Sequence, residues 1–298
     1  MLTLHVQGLV IITQAMEMKE RDYTANGIYL HTFEAGEPRQ PTILFLHGFP
    51  EFGYGWRKQL SFFTDQGWHA VAPDQRGYNL SSKPQEVEAY TIDQLTQDMV
   101  ELIPQISQGK VVVVGHDWGG AVAWNLALEH PALLEKLVIL NMPHPKVIHE
   151  HLTHNPKQML RSWYAGFFQL PGVPETVNSA FDFQLMKTAM TRTAKPGTFS
   201  EEELETYKKA WEQLGALEAM INWYRAYKYN PIEPDHKISV PTLMIWGKQD
   251  QFLGTELAQP SMEQCNQGKL IFLEEATHWL HHEEPDKVNQ LMLDFLRE

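Results

Sequence analysis

The stretch Val111-Val112-Val113-Val114-Gly115-His116-Asp117-Trp118-Gly119-Gly120, running on into Ala121–Leu128, decides how this chain is read. Four β-branched apolar residues in a row suit a strand covered on both faces. Ala121–Leu128 continues as a helix. Between the two lies a G-x-Nu-x-G elbow, whose small residues permit a turn sharp enough to push residue 117 out above the sheet. That residue is Asp. An aspartate is also a common helix N-cap, but a cap requires no flanking glycines.

Working outward, continuous apolar runs bounded by turn residues recur at Thr42–Leu46, His69–Ala72, Leu137–Leu140, Thr242–Trp246 and Leu270–Leu273. They read as strands of a parallel sheet, with helical patterns between most of them. Upstream, Met18–Thr24 and Ile28–Glu34 straddle Asn26-Gly27, a strong hairpin signal. Thr91 and Gln94 have the spacing of a capping box, as do Ser200 and Glu203. Lys287–Leu296 closes the chain as an amphipathic helix. The pattern predicts an α/β fold, a mostly parallel doubly wound sheet with right-handed crossovers.

Between Leu140 and Thr242 no comparable strand occurs. Arg161–Leu170, Ser179–Thr191 and Ser200–Lys228 are helix-like and rich in aromatics, and they read as a lid inserted over the carboxyl edge of the sheet. The expected organisation is a leader over residues 1–15, a core over 16–142 and 240–298, and a helical cap over 143–239. The leader is expected to be poorly ordered.

The chain has 298 residues, with 24 basic and 37 acidic side chains and a net charge of −13. That balance argues against nucleic acid as a partner. No apolar run approaches the roughly 20 residues that span a bilayer. A single cysteine, Cys265, suits a reducing compartment, with the cytoplasm as the default. His144, His149, His151 and His154 cluster without a metal-binding pattern, and the glycine motifs of nucleotide sites are missing, so no cofactor or metal is expected.

An aspartate at the elbow is ionised at neutral pH, so it needs no base to activate its attack. Attack on an sp³ carbon would give an alkyl ester of Asp117, whose hydrolysis needs an activated water, a base, an acid to orient it and oxyanion donors. Asp250 follows the Thr242–Trp246 strand and His278 follows Leu270–Leu273, in the hydrolase order of nucleophile, acid and base. Both lie beyond carboxyl ends of strands, where open sheets place ligands. Asn141, where a rival acid could have stood, is neutral. His47-Gly48-Phe49-Pro50 follows another strand, and the backbone N–H groups of Phe49 and Trp118 are the expected oxyanion donors. His47 and His116 read as scaffold, and His281 and His282 as residues of the rim.

With His47-Gly48-Phe49-Pro50, Asp74-Gln75-Arg76-Gly77-Tyr78, Gly115-His116-Asp117-Trp118-Gly119-Gly120, Asp250 and His278-Trp279, the sequence resembles the soluble epoxide hydrolases of the α/β-hydrolase superfamily. The resemblance implies an α/β-hydrolase fold, a small apolar epoxide and water as reactants, and two lid tyrosines that donate to the epoxide oxygen. Arg161-Ser162-Trp163-Tyr164 and Asn222-Trp223-Tyr224-Arg225 resemble the two tyrosine motifs, which makes Tyr164 and Tyr224 the candidates. Trp118, Phe49, Trp163 and Trp223 are expected to contact substrate, and Phe167, Phe168, Phe181, Phe183 and Trp211 are candidates for an apolar pocket. Haloalkane dehalogenases share the aspartate and the tryptophan after it, here Trp118, whose indole N–H can bind halide, and Trp163 or Trp223 would also offer an indole. They match less well at Phe49 and His116, where many have asparagine and glutamine. A non-catalytic binding protein is the third reading; it would have no need of an intact nucleophile, acid and base.

Overall fold

A computed structural model of the protein describes residues 18–230 and 236–298. The expected leader lies outside the described residues. Eight strands form one sheet: β1 (Lys19–Ala25), β2 (Ile28–Ala35), β3 (Thr42–Leu46), β4 (His69–Pro73), β5 (Val111–His116), β6 (Leu134–Leu140), β7 (Thr242–Gly247) and β8 (Gly268–Leu273). Their order is β1-β2-β4-β3-β5-β6-β7-β8. β1 pairs antiparallel with β2, as does β2 with β4, and every later pairing is parallel. Asn26 and Gly27 both have positive φ, the backbone that a tight two-residue hairpin demands.

The helices follow in chain order. Within the core are α1 (Arg57–Asp65), α2 (Ile92–Ile106) and α3 (Trp118–Glu129). Between β6 and β7 come α4 (Pro145–His154), α5 (Pro156–Arg161), α6 (Trp163–Phe167), α7 (Val173–Thr193), α8 (Glu201–Trp211) and α9 (Ala216–Ala226). The chain ends with α10 (Ala258–Met262), α11 (Leu280–Glu283) and α12 (Pro285–Arg297). α1 packs with α12, and α2 with α3, so helix pairs flank the sheet. β3, β4 and β5 are buried at every residue, as their unalternating sequences require.

β3 pairs with β4 on one side and β5 on the other. Here the chain reverses its direction of travel across the sheet, and such a switch point opens a crevice at the strands' carboxyl ends.

Three helical expectations are corrected. The run 161–170 breaks at Ser162 into α5 and α6, and 200–228 breaks before Gly215, whose φ is 78°. α7 is interrupted by left-handed backbone at Phe181, Asp182 and Phe183. The Ser200–Glu203 capping box forms, but the one at Thr91 does not. Gln94 instead accepts from Asn26 Nδ2 at 3.1 Å, and Asn230 takes the Ile92 N–H at 2.9 Å. Tertiary partners outcompete the local cap.

The cap is fastened to the core by polar contacts from apolar-looking side chains. Trp211 Nε1 donates to the Pro50 carbonyl at 2.6 Å, and Trp223 Nε1 to that of Arg76 at 2.9 Å. Arg76 in turn donates from two nitrogens to buried Asp98, at 2.8 and 2.5 Å, which fixes the loop after β4. Among the described residues, no helix is long and apolar enough to cross a membrane.

Candidate active site

Asp117 sits between β5 and α3 with φ 50° and ψ −128°, a backbone that costs an L-residue of order 1–3 kcal/mol. Crowding sustains it. A Cβ on Gly115 would meet the Gly119 carbonyl at 2.5 Å, and one on Gly48 would collide with the Asp117 side chain. Only glycine lets the loop after β3 come this close to the elbow.

That approach delivers the Phe49 N–H to Asp117 Oδ1 at 2.8 Å, and the neighbouring Trp118 backbone N–H helps to hold the carboxyl low. Oδ2 is left facing His278, whose Nε2 is 3.6 Å away. His278 Nδ1 lies 2.7 Å from Asp250 Oδ2. Asp250 is held in turn: Oδ1 accepts from the backbone of Phe252 at 2.7 Å and Leu253 at 3.0 Å, and Oδ2 from Asn141 Nδ2 at 2.5 Å. Asn141 also accepts the Gly247 N–H at 2.7 Å, so the neutral residue after β6 braces the acid.

The electrostatics follow from these contacts. Burial alone pulls His278 down, but Asp250 and Asp117 outweigh it and push the imidazole up to about 10. Asp117 is the mirror case: burial raises its carboxyl, and His278 more than compensates, leaving it below its ordinary value. At neutral pH the site holds an imidazolium between two carboxylates.

Facing Asp117 from the cap, Tyr224 on α9 is buried and Tyr164 on α6 is half-buried, their rings 5.9 Å apart. Burial drives both phenols upward, Asp117 adds to each, and both hydroxyls remain protonated donors. The Tyr224 ring lies 5.1 Å from Trp118, 5.4 Å from Phe49 and 4.8 Å from Phe168. These aromatics make the wall above the carboxylate apolar. Phe252, which the sequence reading passed over, completes it: its ring is 5.7 Å from Tyr164 and 5.1 Å from His278. Its only sequence signal is its position two residues beyond the acid.

Other expectations do not hold. Trp163 is 67% exposed, its ring against Phe167, and Phe181 is 91% exposed. The short turn of α6 that aims Tyr164 inward carries its neighbour outward. Trp223 is buried behind Trp118, with its indole N–H spent on Arg76. Trp211 likewise spends its N–H on the Pro50 carbonyl, so it serves as a cap fastener. His281 and His282 are not on a rim but buried, at 1% and 3% exposure, against Glu51. His47 and His116 are scaffold, His47 accepting the Gln75 N–H at 3.0 Å and His116 Nε2 lying 2.9 Å from the His278 carbonyl.

Residues 41–285 match the family described as the alpha/beta hydrolase fold. The chain is 46% identical over 274 residues to the AB hydrolase superfamily protein YfhM of Bacillus subtilis, covering 91% of this chain and 96% of that protein. It is 38% identical to mouse epoxide hydrolase 4 over 92% of this chain and 77% of the relative. A solved epoxide hydrolase from Bacillus megaterium, in complex with an inhibitor, superposes with a TM-score of 0.87 at 32% identity, covering 93% of this chain and all (100%) of that one.

Proposed function

This chain belongs to the α/β-hydrolase family, and within it to the epoxide hydrolases, and from that membership we propose how its residues share the opening of an epoxide to a vicinal diol. One observation carries the assignment: a largely enclosed carboxylate with one oxygen on the Phe49 N–H, the other open toward an imidazole, and two cap tyrosines packed together nearby.

Asp117 Oδ1 is engaged by Phe49, so Oδ2 attacks an epoxide ring carbon and breaks its C–O bond. The alkoxide that leaves is strongly basic, and Tyr164 and Tyr224 supply its proton. In the second step water attacks the ester carbonyl carbon of Asp117 and passes a proton to His278 Nε2. The oxyanion develops at the oxygen that already accepts from Phe49, with the Trp118 N–H as the second donor, a preorganised arrangement. Before this second step the imidazolium proton passes through solvent to the tyrosinate left by epoxide opening, which frees Nε2 as the base. Collapse then expels the second diol oxygen, which takes the proton from His278. The carboxylic acid formed on Asp117 returns one to the imidazole, restoring carboxylate and imidazolium.

His278 must therefore be an imidazolium at rest and a base afterwards. Esterification removes the charge of Asp117 and with it part of the pull that raises the imidazole. Asp117→Ala is accordingly expected to move the His278 titration to lower pH, as read by imidazole nuclear magnetic resonance; an unmoved midpoint would contradict the coupling. Because the folded value lies above the ordinary one near 6.5, the ion pairing adds stability that is complete below about pH 6.5 and is lost as pH rises through about 10.

Two tyrosines above the carboxylate favour an epoxide, whose opening needs a proton, over a haloalkane, whose halide does not. Of the indoles, Trp163 faces solvent and Trp223 donates to Arg76, which leaves Trp118 beside the carboxylate for a halide. Replacing both Tyr164 and Tyr224 by Phe is expected to slow epoxide opening by roughly 10²–10⁴-fold, since halide departure needs no proton and epoxide opening does. Diol release from an aryl epoxide, set against bromide release from a bromoalkane, is the measurement. Bromide without diol in the unmodified enzyme would reverse the assignment.

A further inference from the structure

Behind the nucleophile elbow, Glu51, His116, His281 and His282 meet in a cluster that the reaction does not use, each no more than 3% exposed. One oxygen of Glu51 is well served: Oε1 accepts from the Tyr207 hydroxyl at 2.7 Å and pairs with His282 Nε2 at 2.6 Å. The other is not. Oε2 has His281 Nε2 at 3.3 Å and His116 Nδ1 at 3.5 Å, yet Oε2 and His116 Nδ1 lack a hydrogen-bond partner among the described residues. Buried polar atoms left this way call for an explanation, and an ion is one of the few available.

Two spacings match such an ion, those of His281 Nε2 and His116 Nδ1 to Glu51 Oε2 at 3.3 and 3.5 Å, while His282 Nε2 lies at hydrogen-bonding distance, 2.6 Å, from Oε1. Zinc binds imidazole nitrogen and carboxylate oxygen at about 2.0–2.2 Å, so neighbouring ligands at the tetrahedral angle stand about 3.3–3.6 Å apart. Ligating atoms of Glu51, His281 and His282 all lie within 4.8 Å of one another. We propose that Glu51, His281 and His282, with His116 Nδ1 at the edge, form a binding site for one divalent transition-metal ion of the zinc type. Imidazole with a single carboxylate selects such a metal over magnesium or calcium. His116 also has the outer bond that metal-bound histidines make, its Nε2 facing the His278 carbonyl at 2.9 Å. Glu51 follows β3, His116 ends β5 and the histidine pair lies on α11, so the ion would join these core segments, with Tyr207 of α8 reaching them only through its hydrogen bond to Glu51. The ion's role is structural, and binding should raise the melting temperature by mass action.

The test uses the full chain, stripped of metal, in a background where His149, His151 and His154 on α4 are changed to Gln to remove a competing surface cluster. Cobalt(II) titration is expected to reach one equivalent with the visible absorption of a tetrahedral complex, and zinc is expected to displace it. Adding His281→Gln and His282→Gln should weaken binding by more than the roughly 10–100-fold that loss of an outer partner costs. Uptake well below one equivalent, or binding unchanged in that variant, overturns the proposal. Should the variant fail to fold, X-ray absorption of the cobalt-loaded background protein decides: four short ligands including imidazole support the site, and an oxygen-only octahedral shell overturns it.

Discussion

His278→Gln, given an aryl epoxide, is expected to stop halfway: one equivalent of substrate becomes covalently attached and almost no diol appears. The alkylating step depends on Asp117 Oδ2 and the cap tyrosines, whereas the hydrolytic step needs the base that Asp250 orients at 2.7 Å. Removing a positioned base costs roughly 10²–10⁴-fold, so the ester should outlive the experiment. Intact-mass measurement would show the chain heavier by the mass of the epoxide, and peptide mapping would put the addition on Asp117. An unmodified chain under conditions where substrate demonstrably binds would rule out a covalent intermediate at this residue.

Asp117→Ala should be more severe, because it removes the group that forms the bond. Turnover is expected to fall by roughly 10⁶-fold, the scale on which losing a nucleophile acts, with the remaining wall of Phe49, Trp118, Phe168 and Tyr224 still able to hold an apolar ligand. Diol production and ligand affinity should therefore separate: the first disappears and the second persists. Diol formed at an appreciable fraction of the normal rate would mean that water attacks the epoxide directly. A single turnover of the unmodified enzyme in oxygen-18 water, with enzyme in excess, makes the same distinction, since the ester route delivers label first to Asp117.

Local chemistry made the core of this protein legible. A strand buried on both faces must be apolar throughout, and a sharp turn above it must be bordered by small residues, so 111–120 announces both a sheet and the side chain held over it. Asn26-Gly27 works the same way, because few residues tolerate two successive positive φ values. The order of Asp117, Asp250 and His278 could be read for a similar reason: each lies in the loop at the carboxyl end of a strand, and strand ends are fixed points of the fold.

Where the reading failed, the deciding partner was remote in sequence. Gln94 abandons its cap for Asn26, Asn230 replaces it, and the indoles of Trp211 and Trp223 are consumed by carbonyls of the core. Trp163 and Tyr164 are adjacent, yet one faces solvent and the other the nucleophile, because α6 is a short helix whose rotation is set by what it packs against. His281 and His282 read as surface residues until Glu51 is brought against them from the far end of the chain. The sequence by itself determined the sheet, the elbow and the residues placed at the strand ends around it, since these rest on backbone geometry and on chemistry intrinsic to each residue. Only the tertiary structure decided which aromatic, indole or imidazole faces the carboxylate, because that orientation is chosen by hydrogen bonds and packing between segments distant in sequence.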